Sequence, residues 1–114
     1  VDDPEPVDLA LLAEIIGEQE RAELLETAGL LVEELPDLLA PLHAAVAAQD
    51  RQALADAAHA AKSAASSAAA MPLAQVLDGI ESDAAGAEWA SLGMQAEAVR
   101  REFERLAAYL RACG

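Results

Sequence analysis

Aromatic residues are nearly absent from this chain of 114 residues: Trp89, Phe103 and Tyr109 are the whole set. They sit at core or boundary spacing and give no sign of a cofactor box. A single cysteine, Cys113, excludes an internal disulfide and fits a reducing compartment. Basic residues are scarce, with 7 Lys and Arg against 21 Asp and Glu and a net charge of −14. A nucleic-acid partner is therefore not expected, because phosphate backbones are bound by clustered Lys and Arg. No apolar run is long enough to span a membrane, and no basic segment precedes a signal-like stretch. A cytoplasmic location without membrane insertion is expected. The chain starts at Val1 with an acidic, proline-containing stretch, which fits an excised module and a natural free tail alike.

What remains is Ala, Leu and Glu in abundance, with β-branched residues scattered, the composition of an all-α bundle. The length suits one domain with one modest core. Acid is concentrated early: residues 1–37 hold twelve Asp and Glu against one Arg, a solubilising face.

Breakers and apolar spacing divide the chain. Residues 1–7 read as an acidic linker or tail, and residues 8–112 as the helical domain. Asp8 can cap a short helix carrying Leu9, Leu11, Leu12, Ile15 and Ile16 that ends at Gly17. A longer pattern from Leu24 to Val46 is interrupted by Pro36 and Pro41, where a kink or short break is expected. Asp50 is the N-cap of a helix running to about Ala69. Pro72 suits the first turn of the next, which carries Leu73, Val76, Leu77 and Ile80. Ser82 to Gly86 reads as a loop. The last helix spans about Glu88 to Arg111, with Leu92, Ala96, Val99, Phe103, Leu106 and Leu110 as its stripe. The simplest packing is an antiparallel up-down four-helix bundle with the short N-terminal helix laid on it. A monomer is expected.

The run Ala58-His59-Ala60-Ala61-Lys62-Ser63-Ala64-Ala65-Ser66 carries the chemistry. At about 100° per residue, Gln52, Ala55, Asp56, His59, Lys62, Ser63 and Ser66 share one helical face. Leu54, Ala57, Ala61, Ala64 and Ala68 fall on the other, where close packing is possible. The imidazole should face solvent with an ammonium one turn away and only small side chains beside it. An imidazole with the ordinary pKa of about 6.5 is largely neutral at pH 7, an accessible nucleophile suited to phosphoryl chemistry.

This segment, AHAAKSAASSAAA from Ala58 to Ala70, resembles the signature of histidine-containing phosphotransfer (HPt) domains of multistep phosphorelays. His59 and Lys62 match the family's His and Lys. Ser63 stands where Gly is usual, Ala61 where Leu is common, and Ala69-Ala70 where Gly-Ala is usual. Glu33-Glu34-Leu35-Pro36 with Leu39, Leu42, Ala45 and Asp50 resembles the preceding helix, and Leu73, Ile80 and Glu81 the following one. The resemblance spans residues 8–112. It implies that His59 takes a phosphoryl group from a receiver-domain aspartyl phosphate and passes it to another receiver aspartate. Lys62 would support the phosphoryl charge. Gln52, Ala55, Asp56, Ser63 and Ser66 would meet the partner, the small residues 55 and 63 leaving room for its loops. The implied partners are response-regulator receiver domains, with a hybrid histidine kinase as a further candidate. No cofactor is expected in this chain, and a divalent metal is expected on the receiver. With no Gly-rich phosphate loop, no autonomous kinase activity is expected.

Other readings stand beside these. Ser63 would either bond a phosphoryl oxygen or narrow the choice of receivers, and Ala61 thins the core behind the histidine. Asp56 either orients the ring or is simply solvated, the latter preferred. His43 reads as a boundary residue rather than a second acceptor. Arg100, Arg101 and Arg105 read as a solvated face pairing with the acidic half. A non-phosphorylated adaptor that binds a kinase or receiver is the alternative function. A metal bundle would need Glu-x-x-His pairs on facing helices, and only Asp56 and His59 approach that spacing.

Overall fold

A computed structural model describes residues 26, 28–30 and 32–113. The acidic stretch 1–7 and the short helix expected from Asp8 to Gly17 lie outside the described residues. Four helices follow in order: α1 (Leu35–Ala48), α2 (Arg51–Ser67), α3 (Met71–Asp83) and α4 (Trp89–Cys113). Among the described residues there is no strand. Each helix packs on the next across a short connection, and α1 meets α4 to close the ring. This is the all-α, up-down four-helix bundle expected from the spacing. No helix among the described residues is long and apolar enough to cross a membrane.

The core is aliphatic. Leu35 and Leu42 of α1, Leu54 of α2, Leu73, Leu77 and Ile80 of α3, and Leu92 and Val99 of α4 are all fully buried or nearly so. Burying one such side chain contributes about 1.5–3 kcal/mol. On α2 the buried face is otherwise alanine: Ala57, Ala58, Ala61 and Ala65. Methyl-sized side chains let α2 approach its neighbours closely, and its most extensive packing is on α3.

The chain pattern before α1 is interrupted at Glu33-Glu34, which form a turn, and Pro36 then occupies the first turn of α1. The missing N–H of Pro36 is one that a helix start leaves unpaired in any case. At Pro41 the expected kink or break does not end the helix, which runs on to Ala48. Pro41 and Asp37 are both exposed, so the carbonyl freed by the proline faces water.

Two corners share one design. Gln49, with φ of 55°, ends α1: its N–H donates to Val46 O (3.2 Å), and the Asp50 N–H donates to Ala45 O (3.0 Å). Asp50 then caps α2, accepting from the Ala53 N–H at 3.1 Å. After α2, Ala69 has φ of 56°, and the Ala70 N–H donates to Ala65 O at 2.8 Å. This closure ends α2 at Ser67, two residues before the expected Ala69. The third corner differs from expectation. Ser82 and Asp83 belong to α3, and the loop is 84–88. Ser82 lacks the backbone demands of a breaker, and the buried Ile80 and Ala84 hold the helix through it. The last helix starts at Trp89 rather than Glu88 and runs past Arg111 to Cys113.

Candidate functional site

α2 projects its polar residues outward as the spacing requires. Gln52, Asp56, His59 and Ser63 are exposed, and Ala55, Lys62 and Ser66 are half-buried. The apolar side of the same helix anchors it, so His59 sits mid-rod on a backbone fixed by buried alanines.

The imidazole is not surrounded by small side chains alone. His59 Nδ1 lies 2.9 Å from Glu81 Oε2, a carboxylate projecting from α3. The ammonium of Lys62 reaches the other oxygen of the same carboxylate, Oε1, at 2.7 Å, and Asp78 Oδ1 at 3.1 Å. Lys62 is therefore held between two carboxylates of α3, not a free cation beside the ring. Glu81 and Asp78 lie three apart on α3, as His59 and Lys62 do on α2, so two helix faces mesh pair to pair.

The electrostatics follow from these contacts. The hydrogen bond from Lys62, joined by one from His59, holds the Glu81 carboxyl below its ordinary value against some desolvation. The hydrogen bonds to Glu81 and then Asp78 push the Lys62 ammonium above its ordinary value. An ionised carboxylate only accepts hydrogen bonds. The proton in the His59–Glu81 contact therefore sits on Nδ1, and in the neutral ring that tautomer has its lone pair on Nε2. The His59 side chain is 64% exposed, so the group opposite Glu81 faces outward.

The remaining residues of this face are placed as follows. Asp56 accepts from Gln52 Nε2 at 3.0 Å, a contact along α2. The carboxylate that orients the ring is Glu81, not Asp56. The Ser63 hydroxyl donates to His59 O at 3.1 Å, so it is engaged on its own helix. His43 is half-buried, as its position beside the Leu39 and Leu42 stripe requires. Arg100 pairs along α4 itself with Glu97 and Glu104, and Arg105 pairs with Glu102 at 3.0 Å. Among the described residues no group of three or more His, Cys, Asp or Glu side chains is arranged to hold a metal ion.

Sequence reasoning placed Glu81 only as part of the helix after the signature and did not select Asp78. One signal was available. Asp78 and Glu81 repeat the three-residue spacing of His59 and Lys62 on the next helix of a hairpin.

No curated protein and no solved structure matched the chain. The family model for the Hpt domain matches residues 26–109. That match covers α1 to α3 entirely and most of α4, with His59, Lys62 and Glu81 inside it. A helical bundle bearing such a histidine, matched over most of its length, belongs to the Hpt domain family, whose general work is phosphotransfer in phosphorelays.

Proposed function

We propose that this domain is a phosphorelay intermediate that carries the phosphoryl group on Nε2 of His59. The observation that supports it is the Nδ1 contact with Glu81 at 2.9 Å, which leaves the lone pair on the outward nitrogen. That lone pair attacks the phosphorus of a receiver's aspartyl phosphate. An N–P bond forms, the P–O bond to the aspartate breaks, and the bonding pair leaves with the carboxylate. No proton needs to move. The ring becomes cationic and keeps its Nδ1 proton, and the Glu81 carboxylate balances the new charge. A cationic ring is also a good leaving group, so the same arrangement serves the return step to a second receiver aspartate.

Phosphoryl transfer asks mainly for positioning and charge stabilisation. A rigid rod with one oriented imidazole supplies the positioning. Lys62 supplies positive charge one turn along, and the receiver, with a divalent ion bound to it, supplies the rest. Gln52, Ala55, Asp56, Ser63 and Ser66 make up the α2 surface that the receiver covers. The setting is the cytoplasm, where receiver domains with exposed aspartates operate.

The test is phosphotransfer from a panel of purified phosphorylated receiver domains, comparing the protein with its His59→Gln variant. Acid-labile label on the wild type and none on the variant is the expected result. A receiver that binds while neither protein takes label would replace this reading with that of a non-phosphorylated adaptor.

A further inference from the structure

Beside the histidine network, between α2 and α3, lies a cavity of about 270 Å³ lined by Lys62, Ser66, Met71, Ala74, Gln75 and Asp78. Its apolar lining is Ala74, 4% exposed, and the half-buried Met71. Its polar lining residues are Lys62, Ser66, Gln75 and Asp78. Asp78 remains 64% exposed although one oxygen meets Lys62. The cavity thus shares two of its residues, Lys62 and Asp78, with the network around His59.

The charge around the histidine gives the cavity a direction. On the meshed faces of α2 and α3, Asp56, Asp78 and Glu81 stand against the single ammonium of Lys62. The chain as a whole carries −14. A partner delivering a phosphoryl dianion to this surface meets repulsion unless it brings cations of its own. An apolar lining beside a carboxylate matches one type of side chain: an aliphatic stem with a cationic head.

We propose that this cavity receives a lysine or arginine side chain of the docking receiver domain, its stem against Met71 and Ala74 and its charged head on Asp78. The proposal rests on the phosphorelay reading of His59 and names the contact by which the receiver engages. It also gives Asp78 a second task. With a partner cation on its exposed oxygen, Asp78 holds Lys62 less tightly, and Glu81 is left as the carboxylate that the arriving phosphoryl group must compete with for the ammonium.

Two variants test this with the receiver that labels the wild type fastest. Asp78→Asn removes the charge and keeps the shape. Ser66→Leu fills the cavity from a half-buried position on α2. Each protein is labelled in parallel by that receiver and by phosphoramidate, a small donor that needs no docking surface. The expected result is a fall of about tenfold in receiver-dependent labelling relative to phosphoramidate-dependent labelling in both variants. Asp78→Asn should also reduce the salt dependence of receiver binding. Equal ratios in wild type and both variants would overturn the cavity proposal while the phosphorelay reading stands. A wild-type protein that takes label from neither donor would overturn both.

Discussion

The guanidinium of Arg51, in the first turn of α2, lies over the Trp89 ring at 4.7 Å from its centroid. Its Nη1 donates at the same time to Ala84 O (3.0 Å) and Ala87 O (2.8 Å), the carbonyls of the loop between α3 and α4. One side chain at the start of the histidine helix thus fastens the far corner of the bundle. Arg51→Ala should destabilise the fold by about 1–3 kcal/mol, from two charge-assisted hydrogen bonds and a cation–π contact offset by water on the freed carbonyls. Urea denaturation followed by the fluorescence of Trp89, the one tryptophan, measures it. Arg51→Lys should recover less than half, because an ammonium cannot span both carbonyls and stack on the ring.

Glu81 joins orientation and charge, and two substitutions separate them. Glu81→Gln keeps an acceptor for the Nδ1 proton but loses the negative charge; Glu81→Ala loses both. Labelling of His59 by phosphoramidate should slow by about tenfold in the first, equivalent to about 1.4 kcal/mol of barrier, and further in the second. Equal rates in all three proteins would remove Glu81 from the chemistry.

The pH dependence has a definite sign. The folded Glu81 carboxyl lies below its ordinary value of 4.5, so its contribution to stability is present above that value. It is lost as pH falls through the lower folded value. The hydrogen bond from Lys62 is the largest cause of the depression. Lys62→Met should therefore raise the Glu81 titration toward 4.5 and flatten the acid limb of the stability curve. Carboxyl NMR titration and urea midpoints between about pH 3 and 7 read the two effects. At the alkaline end Lys62 behaves oppositely. Its raised value makes its contribution complete below 10.5 and lost as pH rises through the folded value.

The two left-handed corners should respond differently to glycine. Gln49 is exposed, so Gln49→Gly relieves the backbone and loses no packing, with a gain of about 0.5–1 kcal/mol. Ala69 has the same φ but is fully buried. Ala69→Gly relieves similar strain and forfeits a buried methyl worth about 0.8 kcal/mol, leaving a change near zero. Thermal melts of the two variants make the comparison.

Periodicity and capping chemistry made much of this bundle readable in advance. Asp50 as a cap, Pro72 in a first turn and the stripe from Leu92 to Leu106 are local features, settled within a few residues of chain. The polar face of α2 is local too. The state of Lys62 is not. Its partners, Asp78 and Glu81, lie 16 and 19 positions along the chain, and meet it only through the register that the α2–α3 corner imposes. The helical state of Ser82 is non-local for a related reason. Its residue type suggests a loop, but the burial of Ile80 and Ala84 on either side keeps α3 wound through it. The left-handed Ala69 explains why glycine is usual at that point of the signature, and the buried methyl is a reason for alanine here.

The ring of His59 and the carboxylate that aims it belong to different helices, joined through a corner made of three fully buried alanines, Ala68, Ala69 and Ala70. The aim of the imidazole is thus a readout of how α2 and α3 sit against each other. A copy whose hairpin has slipped by a single turn would still display a histidine, but one without a fixed tautomer or a balancing charge. On the phosphorelay reading proposed above, such a copy would take up phosphate more slowly than a correctly assembled one.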